Sequence, residues 1–126
     1  MSTQTERVID FRIFKNIVLQ QQNVPAGEVL IAIGSMETKM YIVKSGLLAV
    51  KVADKIVEQV GPGQVVGEMS LIDNGPRSAE VFALQNSVVI PIDEPRFLNL
   101  VVKVPHFALL LMRLMARRLR SMNTKL

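Results

Sequence analysis

Glu68 and Arg77 are the residues in this chain whose types and spacing best suit chemistry: an acid and a base nine positions apart, across a loop flanked by small residues. A carboxylate only accepts hydrogen bonds, so Glu68 suits a hydroxyl donor such as a ribose 2′-OH. A guanidinium is a rigid fork of donors that matches phosphate oxygens two at a time, so Arg77 suits an anion. Together they suit a small molecule that carries both a sugar hydroxyl and a phosphate. The plainer reading of the same pair is an ordinary surface acid and base.

The elements around the pair must deliver it. Gly67 precedes Glu68-Met69-Ser70-Leu71-Ile72, which alternates poorly and predicts one helical turn. Free N–H groups at the start of such a turn attract anions, so backbone and Arg77 would share one phosphate. Asn74-Gly75-Pro76 then turns the chain and brings Arg77 to the start of the next strand. From residue 16 to 93, short β-branched runs alternate with turn residues at intervals of about ten, the mark of a small barrel or sandwich. The candidate strands are 17–21, 29–33, 40–44, 47–52, 55–60, 64–66, 79–83 and 88–92. Ahead of them, apolar residues at 8, 11 and 14 predict a helix over 7–15. Behind them, a helical segment starts at Pro95, and Pro105 stands at the first position of a long helix reaching Met122. Leu111, Met115, Leu119, Met122 and Leu126 form the apolar stripe of that helix, with Arg118 beside it.

Composition narrows the function classes. A chain of 126 residues predicts one domain, 1–126. No cysteine is present, which excludes disulfides, thiolate metal sites and cysteine nucleophiles, and the single His106 excludes multi-histidine metal centres. A hydrophobic content of 49% argues against disorder. No apolar run approaches the roughly 18 residues of a membrane span, and the first residues lack a signal peptide's apolar core. The expectation is a cytoplasmic protein without membrane contact. The net charge of +4 is concentrated toward Arg113, Arg117, Arg118, Arg120 and Lys125, and aromatics are scarce at 5%. Nucleic acid is therefore not an expected partner.

The order Gly67-Glu68-x-Ser70-Leu71 … Pro76-Arg77-Ser78-Ala79 resembles the phosphate-binding cassette of the cyclic nucleotide-binding domain family. The likeness extends to Pro25-Ala26-Gly27-Glu28-Val29-Leu30, to Tyr41-Ile42-Val43-Lys44-Ser45-Gly46, to the approach from Val60 to Glu68, and to Met115-Ala116-Arg117-Arg118-Leu119. The resemblance implies a mainly β fold, an eight-stranded, jelly-roll-like β-roll over 16–93 with its cassette at 67–79. An N-terminal helix at 7–15 and C-terminal helices over 94–123 flank it. It implies cAMP or cGMP as ligand and no other cofactor, with Ser78 after the arginine fitting the cAMP sensors of the activator branch. By the same resemblance Glu68 takes the ribose 2′-OH and Arg77 the cyclic phosphate with help from Ser78. Gly67, Met69, Ser70 and Ala79 line the pocket.

Further contacts are open to two readings each. Arg118 is either a solvated helix charge or turns to the pocket and pairs with Glu68. Asn123 lies where the closing helix offers polar groups to the purine, but near a helix end. Val50 and Val57 form either an apolar wall under the base or generic core. His106 reads as structural. Leu109 to Met112 are consecutive apolar residues, so the last helix suits homodimerisation or burial within the domain; its arginines make a membrane-surface helix the rival reading. The family's DNA-reading members continue into a helix-turn-helix, whereas this sequence stops at Leu126. The output is then a partner protein, or the chain is a sensor cut from something longer. Three functions compete: a non-catalytic cyclic nucleotide sensor, a metal enzyme of the cupin type for which the histidines are lacking, and a ligand-free dimerisation or scaffold module.

Overall fold

Alternation of side chains along the strands builds the fold. In the computed structural model, which describes residues 8–73, 77 and 79–124, eight strands pair antiparallel in two four-stranded sheets. The strands are β1 (Gln22–Val24), β2 (Val29–Ile31), β3 (Met40–Ser45), β4 (Leu48–Val52), β5 (Lys55–Val60), β6 (Val65–Val66), β7 (Glu80–Ala83) and β8 (Ser87–Ile92). One sheet runs β1-β8-β3-β6 and the other β2-β7-β4-β5. The helices are α1 (Glu68–Asp73), α2 (Glu94–Lys103) and α3 (Pro105–Thr124).

Strand β3 shows how two cores arise from one sequence. Successive side chains point to opposite faces, so Tyr41 and Val43 enter a cluster with Leu48, Val60 and Val81 from the second sheet. Met40 and Ile42 face the other way and join Ile90, Ile92, Leu100, Phe107, Leu111 and Leu114 beneath the helices. The first sheet is thus buried on both faces, which explains its near-continuous apolar runs. Among the described residues no single helix is long and apolar enough to cross a membrane; α2 and α3 would satisfy length and composition only together, and they bend by 116°.

Two expectations about the amino end change. Within the stretch predicted as a helix, residues 8–10 are not helical and Phe11–Phe14 form a single 3-10 turn. Asp10 caps this turn by accepting from the Arg12 N–H at 2.9 Å, and its own carboxyl is held at about 2 by the Arg12 guanidinium and backbone. The strand predicted at 17–21 has no regular pairing: Val18 is 98% exposed, and pairing with β8 begins only at Gln22. The segment is nevertheless anchored, because Ile9 donates to the Gly63 carbonyl at 2.6 Å and Phe14 meets Phe107 edge-on at 5.5 Å between centroids.

The apolar stripe of α3 is also rotated from its expected place. Phe107, Leu110, Leu111 and Leu114 are buried and Met115 is half-buried, whereas Leu119 is 60% exposed. Arg118 takes the inward direction at that level, which is the first structural sign that polar groups lie beneath the helix end. Met122 and Leu126 lie outside what is described of side chains.

Candidate functional site

Backbone geometry comes first. Gly67 sits at φ +78°, a conformation that residues with a Cβ rarely adopt, and a Cβ there would lie 2.7 Å from Arg77 Nη1 and 2.8 Å from the Lys39 carbonyl oxygen. The chain can therefore turn from β6 into α1 with Arg77 packed directly against it. Arg77 is itself held by the loop after β2: its N–H donates to Ser35 O at 3.0 Å, and its carbonyl accepts from Gly34 N at 2.8 Å. The Asn74-Gly75-Pro76 turn expected before it lies outside the described residues.

The side chain of Arg77 is buried. Its Nη1 donates to the Gly67 carbonyl at 3.0 Å and its Nη2 to the Lys39 carbonyl at 2.6 Å. Burial pushes the guanidinium below its ordinary pKa, with the charges of Glu37 and Glu68 opposing that shift. Burial also raises the Tyr41 hydroxyl, assisted by the charge of Glu37. Ser70 is buried and donates to the same Gly67 carbonyl at 2.9 Å, so it braces the turn. Met69 is exposed and Ala79 half-buried. Ser78 lies outside the described residues, as does the side chain of Asn123.

Glu68 opens α1 and is buried. Its Oε2 accepts from Arg118 Nη1 at 2.7 Å, while Arg118 Nη2 donates to the Val65 carbonyl at 2.6 Å. Of the two readings of Arg118, the structure takes the second: the side chain turns down from α3 onto the acid. Among the described residues, two buried side-chain polar atoms have no hydrogen-bond partner, Glu68 Oε1 and Arg77 Nε. One is an acceptor and one a donor. A buried unpaired polar atom costs about 1–3 kcal/mol, more when charged, and these two fall on the pair singled out by its chemistry.

Beside Arg118 a cleft of about 440 Å³ opens, lined by Glu58, Gln64, Leu114, Arg117, Arg118, Arg120 and Ser121. Its volume lies within the roughly 300–1,000 Å³ of small-molecule sites. The expected wall of Val50 and Val57 is not realised as a pair. Val50 is half-buried and packs on the inter-sheet cluster, but Val57 is 60% exposed. The reason is alternation: Val50 pairs with Glu58, which shares the face of buried Val60, while Val57 falls on the opposite face and, at a bulge, has no partner on β4. Glu58, and not Val57, thereby reaches α3, with its Oε2 3.6 Å from Arg118 Nε. Sequence reasoning missed Glu58 because its partner, Arg118, comes from a helix 60 residues further along the chain. Lys39 was missed because it contributes a backbone carbonyl. His106 is exposed at the start of α3.

Comparisons with known proteins bear on the family and the fold. The chain is 30% identical over 112 residues to the Cyclic AMP receptor protein of Thermus thermophilus, covering 85% of this chain and 52% of the relative. It thus spans about half the length of that relative. The crystal structure of Thermus thermophilus Catabolite Activator Protein superposes with a TM-score of 0.77 at 26% identity, over 90% of this chain and 60% of that one. A protein of a cyclic-GMP-dependent signalling pathway that regulates bacterial phytopathogenesis superposes with a TM-score of 0.75 at 26% identity, over 95% of each chain. Residues 21–103 match the family described as Cyclic nucleotide-binding domain. With that match over most of its length, the chain belongs to the cyclic nucleotide-binding domain family.

Proposed function

We propose that this domain is a cytoplasmic sensor of a cyclic purine mononucleotide, cAMP before cGMP, with no catalysis of its own. The observation that carries the reading is the pair of buried, unpartnered atoms, Glu68 Oε1 and Arg77 Nε. A ribose 2′-OH donates to the first, and a cyclic phosphate oxygen accepts from the second. Because Arg118 occupies only Oε2, the ligand takes its place on Glu68 without displacing the helix. The base then extends toward the cleft under α3. Family membership supports the ligand class, and the cAMP receptor of Thermus thermophilus supports cAMP by analogy.

Ligand and α3 share one carboxylate, so binding favours the conformation in which α3 is closed over the cassette. The sign of this coupling is the same in both directions: whatever the closed helix adds to ligand affinity, the ligand adds to closure. The chain also self-associates in this proposal. Leu109, Met112, Ala116 and Leu119 are exposed and follow the three-four spacing of a coiled-coil seam. The output passes to a further protein or domain.

Calorimetry of the full chain with cAMP, cGMP and their 2′-deoxy forms tests the reading. Micromolar binding, about −8 kcal/mol, is expected for cAMP, with weaker binding of the 2′-deoxy form. Arg77→Ala should weaken binding by about 2–5 kcal/mol, because the ligand's charge is left without its partner. Absence of heat with both nucleotides, from a protein shown to be folded, overturns the proposal.

A further inference from the structure

Arg118 is shared between two acids. Its Nη1 is bonded to Glu68 at 2.7 Å, its Nη2 to the Val65 carbonyl at 2.6 Å, and its Nε faces Glu58 at 3.6 Å. Glu68 belongs to the cassette. Glu58 stands on β5, just after the bulged Val57, and meets the arginine from a different strand. Opposite Val50 in the β4–β5 ladder, Glu58 lies on the same face as the buried Val60, and that face turns an acid toward Arg118, which pairs α3 with Glu68.

We propose that Glu58 is a positioning residue for the ligand site, holding Arg118 against the β-roll while a ligand hydroxyl engages Glu68. The inference rests on the sensor reading above and adds to it a residue with no direct contact to the sugar or the phosphate. Its physical basis is a division of charge. When Glu68 accepts a second hydrogen bond at Oε1, its carboxylate is shared between the ligand and Arg118, and the pull on the arginine weakens. Glu58 keeps a second anion beside the guanidinium, so α3 stays in place as the ligand enters.

The two anchors also differ in shielding. The Glu68 side chain is 10% exposed, whereas that of Glu58 is 42% exposed. The hold by Glu58 is therefore the weaker one and the one that salt screens.

The test combines affinity with a readout of the helix in the free protein. Glu58→Gln keeps the shape and removes the charge; cAMP affinity is expected to fall about 2- to 5-fold, mostly through faster release. Glu58→Lys, which repels Arg118, should lower it further. In an Arg118→Met background, Glu58→Gln should have no further effect on affinity, and the difference between wild type and Glu58→Gln should vanish near 1 M salt, where screening acts within about 3 Å. Amide hydrogen exchange over 114–121 should rise in ligand-free Glu58→Gln. Unchanged affinity and exchange in both Glu58 variants would overturn the proposal, as would a loss that persists in the Arg118→Met background. If the wild-type chain binds no cyclic nucleotide, the sensor reading fails; the exchange measurement still decides whether Glu58 holds Arg118.

Discussion

A single missing carbon atom makes the candidate site possible. Gly67 lets Arg77 lie against the backbone that carries Glu68, and the carbonyl of Gly67 accepts from both Arg77 and Ser70. Arg77 is thus part of the scaffold as well as a candidate hydrogen-bond donor to an anion, since its two Nη groups brace Gly67 and Lys39 while Nε stays unpartnered. Replacing Gly67 by alanine should destabilise the fold by about 1–3 kcal/mol through positive-φ strain and close contact with Arg77. In the proposed sensor the same substitution should abolish measurable nucleotide binding, because it displaces the guanidinium proposed to meet the phosphate. Urea denaturation and calorimetry on the same variant check the two effects, and retention of wild-type affinity would contradict this account of the turn.

At the scale of elements, the turn between β4 and β5 stores strain that can be removed. Ala53 and Asp54 both have positive φ, 51° and 65°, in a two-residue hairpin loop. That pair of angles belongs to the type I′ turn, which favours asparagine at its first position, whereas alanine is strained there. Ala53→Asn is expected to stabilise the domain by about 0.5–1 kcal/mol. In a thermal melt this should read as a rise of about 2–4 °C. Most of the strands were legible because apolar runs and turn residues punctuate them, and β5 spans Lys55–Val60, the same bounds as its candidate strand. The run at 17–21 misled for a physical reason: Ile17 and Val18 have strand-forming side chains but no neighbouring strand, and pairing decides what propensity only suggests. Glu68 and Arg77 could be picked out by charge type and spacing, and Arg118 by its angle around α3. Glu58 could not: alternation places it on the face of Val60, but only the tertiary fold brings Arg118 of α3 over that face.

For the whole molecule, the two faces of α3 differ in burial. Phe107, Leu110, Leu111 and Leu114 bury one face in the domain, and Arg118 continues that face down to the cassette. Met112 and Leu119, 59% and 60% exposed, lie on the other. If that outer seam joins two copies, wild type should sediment as a dimer and a Met112→Glu, Leu119→Glu variant as a folded monomer whose melting temperature, unlike wild type's, no longer depends on protein concentration. A wild-type chain that stays monomeric at high protein concentration would remove self-association from the proposal and leave the nucleotide site as it stands.

The amino-terminal anchor has a mechanical consequence. Ile9 is tied to the carbonyl of Gly63, four residues before the turn at Gly67, and Phe14 rests its edge on Phe107 at the root of α3. Tension applied to this segment, by a tether or a fused body upstream, would therefore be delivered to the approach to Gly67 and to the helix whose Arg118 bonds Glu68, at two joints set only five residues apart in sequence.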